Sequence, residues 1–177
     1  MIRVTQRLGE GDGSLDQNDY LTSDPIDEAE WQAFAVDPHD GACVEFVGRA
    51  RGTEGGEPIR YLAYEAYAPM AERVIAAIVA EAQRRWSLHR VYVRHRTGRV
   101  AVGQIAVAVG VHAPHREEAF AACRFLIDAI KCEAPIWKVA VTRTGRLQPA
   151  VCNHAAPAVR EENQSTSCSM SLKTANV

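Results

Sequence analysis

The chain has 177 residues, 47% hydrophobic and 24% charged, with 20 Lys and Arg against 22 Asp and Glu for a formal net charge of −2. This is the composition of one ordinary globular domain with a substantial core, and it lacks the domain-wide basic stripe on which nucleic-acid binding rests. No apolar run approaches the roughly 18 residues that span a bilayer, and the first residues lack a charged-then-apolar signal pattern, so a cytoplasmic protein without membrane contact is expected.

Ile2 to Gln6 reads as a short strand, followed by a Gly- and Asp-rich connection through Gly13. Ser23-Asp24-Pro25 is a helix start, since a side-chain acceptor caps free N–H groups and Pro fits the first helical position; a helix over Pro25 to Ala35 is predicted. Gly41 to Gly48 and Ile59 to Tyr67 have the β-branched and aromatic content of strands. Between them, Gly52 to Pro58 is polar and Gly-rich, and a mobile loop is expected.

Pro69 to Trp86 carries Met70, Val74, Ile78, Ala82 and Trp86 at steps of four, the stripe of an amphipathic helix facing a core. Val91 to His95 and Gln104 to Val111 read as strands of a hairpin joined through Gly98 to Gly103. Pro114 to Cys132 is a second long helix with Ala119, Ala122, Cys123, Leu126 and Ile130 inward. Pro135 prevents its continuation, and Ile136 to Thr142 returns as a strand. Two helices that each follow a strand pair imply an α+β domain, a mainly antiparallel sheet with helices packed on it, over residues 1–154. From Ala155 the chain turns to Glu, Asn, Ser and Thr, so residues 155–177 are expected to form a disordered tail. The cysteines (43, 123, 132, 152, 168) are odd in number and lack ligand spacing, which argues for free thiols and against a disulfide framework or a metal site.

The distinctive feature is local. His115 and Arg116 open the second helix, Lys131 closes it, and Lys138 follows Pro135 and Trp137. Four cation-capable side chains around one helix–turn–strand unit, in a slightly acidic protein, point to an anionic small molecule. Cations at a helix start oppose the dipole, whereas Lys131 at a helix end is favoured by about 0.3–1 kcal/mol for stability alone. The Pro135 turn can direct both lysines to one pocket, where clustered cations disfavour one another's charged form and make a lysine a usable proton carrier or nucleophile. Arg51, at a strand end, offers a planar fork to a phosphate, and Arg49 lies on the same face at period two. Each of these also has a plain reading as a solvated surface cation, with His115 as a local cap. Cys132 beside Lys131 invites a persulfide reading, although a lone Cys at a helix end is usually inert packing.

Ala113-Pro114-His115-Arg116, Lys131 and Pro135-Ile136-Trp137-Lys138, with Phe46-Val47-Gly48-Arg49-Ala50-Arg51 and Tyr64-Glu65-Ala66-Tyr67 upstream, resemble the large, catalytic subunit of molybdopterin synthase in order and spacing, from about Gly41 to Gly145. The resemblance implies an α/β-hammerhead fold with a small extra β subdomain. It also implies a sulfurtransferase, with no cofactor of its own, that inserts two sulfurs into cyclic pyranopterin monophosphate to form the molybdopterin dithiolene. Sulfur would arrive as a C-terminal Gly-Gly thiocarboxylate on a small ubiquitin-like carrier.

By the same resemblance Lys131 and Lys138 are catalytic. Arg49, Arg51, His115, Arg116, Lys131, Lys138, Val139 and Ala140 bind substrate, and His115 and Arg116 reach the neighbouring subunit's pocket in a homodimer within a heterotetramer. Two departures stand out. The family commonly has an acidic residue where this chain has Ala140, with Glu133 or Glu65 as candidate substitutes, and Leu147 to Ala150 replaces the family's C-terminal Trp and basic residue. The alternative is a homologue that has lost catalysis but still binds the carrier; a third reading is an unrelated phosphate-binding regulator.

Overall fold

The computed structural model describes residues 19–29, 37–145 and 147–149. The strand expected at Ile2 to Gln6, most of the first predicted helix and the C-terminal tail lie outside these residues. The start of that helix is displaced: Pro25 to Asp27 has no regular structure, and the first helical residue is Ala29. Ile26 is instead buried, against Tyr92, Ile105 and Ala108.

The elements with defined bounds among the described residues are β1 (Leu21–Thr22), β2 (Ala42–Arg49), β3 (Thr53–Glu54), β4 (Glu57–Ala66), α1 (Ala68–Arg85), β5 (Arg90–Arg96), β6 (Gly98–Ala101), β7 (Ile105–Ala113), α2 (Arg116–Glu133), β8 (Ile136–Thr142) and β9 (Leu147–Pro149). They form two sheets. The first has the order β1-β5-β7-β2; β2 and β5 flank β7 antiparallel, and β1 lies parallel to β5. Every residue of β7 is buried. Its alternate side chains serve opposite faces: Val107, Val109 and Val111 meet α1 and α2, while Ala106 and Ala108 pack beneath.

In α2 the inward residues are those expected, with Ala119, Ala122, Leu126 and Ile130 at 2% exposure or less. The stripe of α1 differs. Its buried residues are Ala71, Ile75, Ile78, Val79 and Ala82, while Met70 is 46% exposed. A helix of 3.6 residues per turn drifts about 40° for every step of four, so a core-facing stripe alternates steps of three and four.

The second sheet runs β3-β4-β8-β9, with β6 also paired to β4. It is the small extra β subdomain. The link between β5 and β7 is thus more than a hairpin turn, because its strand β6 joins the other sheet through Leu62↔Val100 and Tyr64↔Gly98. Gly52 to Pro58 is likewise a paired hairpin and not an irregular loop. Thr53 and Glu54 pair with Pro58 and Glu57, and the turn residues Gly55 and Gly56 both have positive φ, 58° and 84°. Such a two-residue turn matches the strand twist and suits glycine, so a Gly-Gly pair closes a tight hairpin here. Among the described residues no helix is long and apolar enough to cross a membrane.

Candidate active site

The two ends of α2 carry the cations singled out in the sequence. His115 is the N-cap residue, in extended backbone, but its side chain makes no capping bond, and both it and Arg116 are exposed. Glu117 and Glu118 satisfy the dipole of this first turn. His115 and Arg116 therefore serve neither cap nor core. Lys131 lies in the last turn, roughly 24 Å away at 1.5 Å per residue. One protomer does not bring the two ends together.

Lys131 and Lys138 each have a set of side-chain contacts. Lys131 Nζ sits over the Phe46 ring, 5.6 Å from the centroid. Close by, β5 presents the buried His95, whose Nδ1 lies 2.8 Å from the Arg96 carbonyl oxygen. A carbonyl only accepts, so Nδ1 carries the proton and donates. Burial, helped by the Lys131 charge and opposed by that hydrogen bond, lowers the His95 pKa from 6.5 to about 4, which keeps the imidazole neutral near pH 7.

Tyr64 of β4 packs edge-on against His95, with centroids 5.1 Å apart, and is the direct ladder partner of Lys138 on β8. Lys138 Nζ donates to Glu54 Oε1 at 3.2 Å. Glu54 Oε2 lies 3.5 Å from Arg51 Nη2. Glu54 thus joins Lys138 to Arg51, which are far apart in sequence.

The remaining expected residues are placed elsewhere. β2 ends at Arg49, so Arg51 lies beyond the strand, and the two arginines have different partners. Arg49 pairs with Glu28 and donates to the Gly103 carbonyl oxygen at 3.3 Å, lining an open cleft with Arg96 and Gln104. Val139 alternates away from Lys138, as strand geometry requires. Ala140 is 0% exposed and packs with Leu62, Val100 and Ala106, so its side chain is closed off from any ligand. Of the candidate carboxylates, Glu65 is paired with Trp137, one residue off the Lys138 register, and Glu133 ends α2.

The carboxylate that meets Lys138 is Glu54, which the sequence reading missed. The signal was present in Thr53-Glu54-Gly55-Gly56-Glu57, where two glycines between extended residues mark a hairpin. Cys123 is buried, which pushes its thiol up to about 11, while Cys132 is exposed. Among the described residues, no group of three or more His, Cys, Asp or Glu is placed to hold a metal ion.

The chain is similar in sequence and in fold to known proteins. The MoaE protein family profile matches residues 21–133, which includes Arg51, Glu54, His115, Arg116 and Lys131 and ends before Lys138. The molybdopterin synthase catalytic subunit of Nostoc sp. is 46% identical over 119 residues, covering 67% of this chain and 72% of the relative. The crystal structure of molybdopterin synthase from Staphylococcus aureus superposes with a TM-score of 0.68 at 34% identity, covering 75% of this chain and 97% of that one. A chain from the complex of subunits 1 and 2 of molybdopterin-converting factor from Helicobacter pylori, at 21% identity and a TM-score of 0.63 over 75% of this chain and 90% of that one, shares the fold. With a two-sheet α+β architecture, helices laid on one sheet, and a profile match over most of the folded residues, the chain belongs to the MoaE family, the molybdopterin synthase catalytic subunits.

Proposed function

We propose that this chain is the catalytic subunit of a molybdopterin synthase and transfers sulfur to cyclic pyranopterin monophosphate, making the dithiolene of molybdopterin. The donor is a small ubiquitin-like partner subunit whose C-terminal Gly-Gly thiocarboxylate enters the site. The observation that supports this most is that Lys138 and Arg51 share Glu54, while the charge of Lys131 acts on His95, whose ring packs on Tyr64, the ladder partner of Lys138. Both reactants are anions, a phosphate ester and a thiocarboxylate, and these linked side chains include three cations.

Lys131, exposed over Phe46, meets the carrier's C-terminus. Lys138, whose side chain is only 19% exposed, is held for proton transfer or substrate positioning. Arg51 supplies the guanidinium fork that fits a phosphate bidentately. His115 and Arg116, beyond reach within one protomer, complete the site from a second copy in a two-fold dimer. Each dimer carries two carrier chains at its outer ends.

Mixing the purified protein with thiocarboxylated carrier and cyclic pyranopterin monophosphate tests the reading: dithiolene product is expected, and its absence with both reactants intact refutes it. The alternative, a carrier-binding homologue without catalysis, was motivated by Ala140. Glu54 weakens that motive, because Lys138 has an anionic partner after all.

A further inference from the structure

We infer that Glu54 is the positioning carboxylate of this site: it fixes the amine of Lys138 and occupies the guanidinium of Arg51 until an anionic substrate displaces it there. The inference rests on the reading of Lys138 and Arg51 as substrate-contacting residues.

The two contacts of Glu54 are unequal. Toward Lys138 both partners are sheltered, with side-chain exposures of 19% and 10% at 3.2 Å. A sheltered ion pair of this kind is costly to break, since the remaining charge is left without water or partner. A lysine has a flexible four-carbon stem, and such an anchor removes its freedom to wander. Toward Arg51 the distance is 3.5 Å and the arginine is 76% exposed. That contact is long, solvated and weak, and a phosphate offering two oxygens to the fork out-competes it. One carboxylate therefore keeps a permanent ligand and an exchangeable one.

The backbone around Glu54 suits this role. It is the last residue before the Gly55-Gly56 turn and sits directly opposite Glu57. Like charges facing each other across a ladder destabilise it, and two cations on Glu54 offset this. The strand of Lys138 supplies no carboxylate of its own on that face, because two residues along stands the closed Ala140.

The test uses the full-length chain with its carrier and pterin substrate. Glu54→Gln keeps the side-chain shape and removes the charge. It is expected to lower kcat about ten- to a hundredfold through misplacement of Lys138. KM should be unchanged or lower, and inorganic phosphate should bind at least as tightly by calorimetry, because Arg51 is released. Glu54→Asp, which keeps the charge, should recover part of the turnover, and the double variant Glu54→Gln/Lys138→Gln should lose no more than Lys138→Gln alone. Normal turnover in Glu54→Gln, alongside an inactive Lys138→Ala, overturns the role of Glu54 and leaves the site reading standing. An active Lys138→Ala overturns both. A merely structural hairpin residue would instead raise KM, weaken phosphate binding, lower Tm and show losses additive with those of Lys138→Gln; that outcome also refutes the inference.

Discussion

The ring of Tyr64 meets the imidazole of His95 edge-on, with centroids 5.1 Å apart and planes inclined at 77°. Tyr64 belongs to the second sheet and His95 to the first, so this contact joins the two sheets beneath the lysines. It also keeps water from His95, and from that a pH dependence follows. Burial lowers its pKa from 6.5 to about 4, so between these values the unfolded chain binds a proton that the folded chain refuses. The resulting stability is fully present above about pH 6.5, is lost as the pH falls toward about 4, and amounts to at most about 3 kcal/mol. Tm should therefore fall more between about pH 7 and pH 5 in the wild type than in His95→Gln. Equal falls would show that His95 does not titrate in this way.

Lys131→Ala should abolish dithiolene formation while leaving the fold intact. The side chain is exposed; its contact over Phe46 is worth about 0.5–1 kcal/mol and its place at the end of α2 about 0.3–1 kcal/mol. Near-normal sulfur transfer with unchanged melting would remove Lys131 from the mechanism.

Arg51→Lys should weaken binding of the pterin phosphate although the charge is kept, because a point-like ammonium does not reproduce a two-point guanidinium contact. Titration calorimetry decides this, and equal affinities would mean that Arg51 holds no phosphate.

Restoring an acid at position 140 is not expected to raise turnover. Ala140 is fully enclosed, and Glu54 already pairs with Lys138. Ala140→Glu would force a second carboxylate into a packed cluster, with a cost of about 3 kcal/mol or more. Thermal melting should show the loss, and a faster enzyme with unchanged Tm would contradict it.

Complementation tests the shared site. His115→Ala/Arg116→Ala protein and Lys131→Ala protein, each inactive, should regain activity when mixed under conditions that allow subunit exchange, because a heterodimer has one intact pocket. A mixture as inactive as its parents, with exchange verified, would place both ends of α2 at separate sites.

Much of this molecule is determined by local sequence. The period of α2, the stop at Pro135 and the β-branched runs of β2 and β7 read correctly because propensity, hydrophobic periodicity and helix termination act over a few residues. The family motifs likewise pointed to Lys131, Lys138 and Arg51 one by one. What the tertiary structure alone decided is which of them meet. Lys138 reaches Glu54 across 84 positions because the Gly55-Gly56 turn folds β3 back on β4, and β4 in turn pairs with the strand of Lys138. Arg49 and Arg51, two residues apart, take different partners, Glu28 and Glu54, where β2 ends. Ala140 is sealed because the second sheet packs on its own small core. Register and sheet packing are long-range, so the sequence names the charges of this site while the fold decides which of them pair.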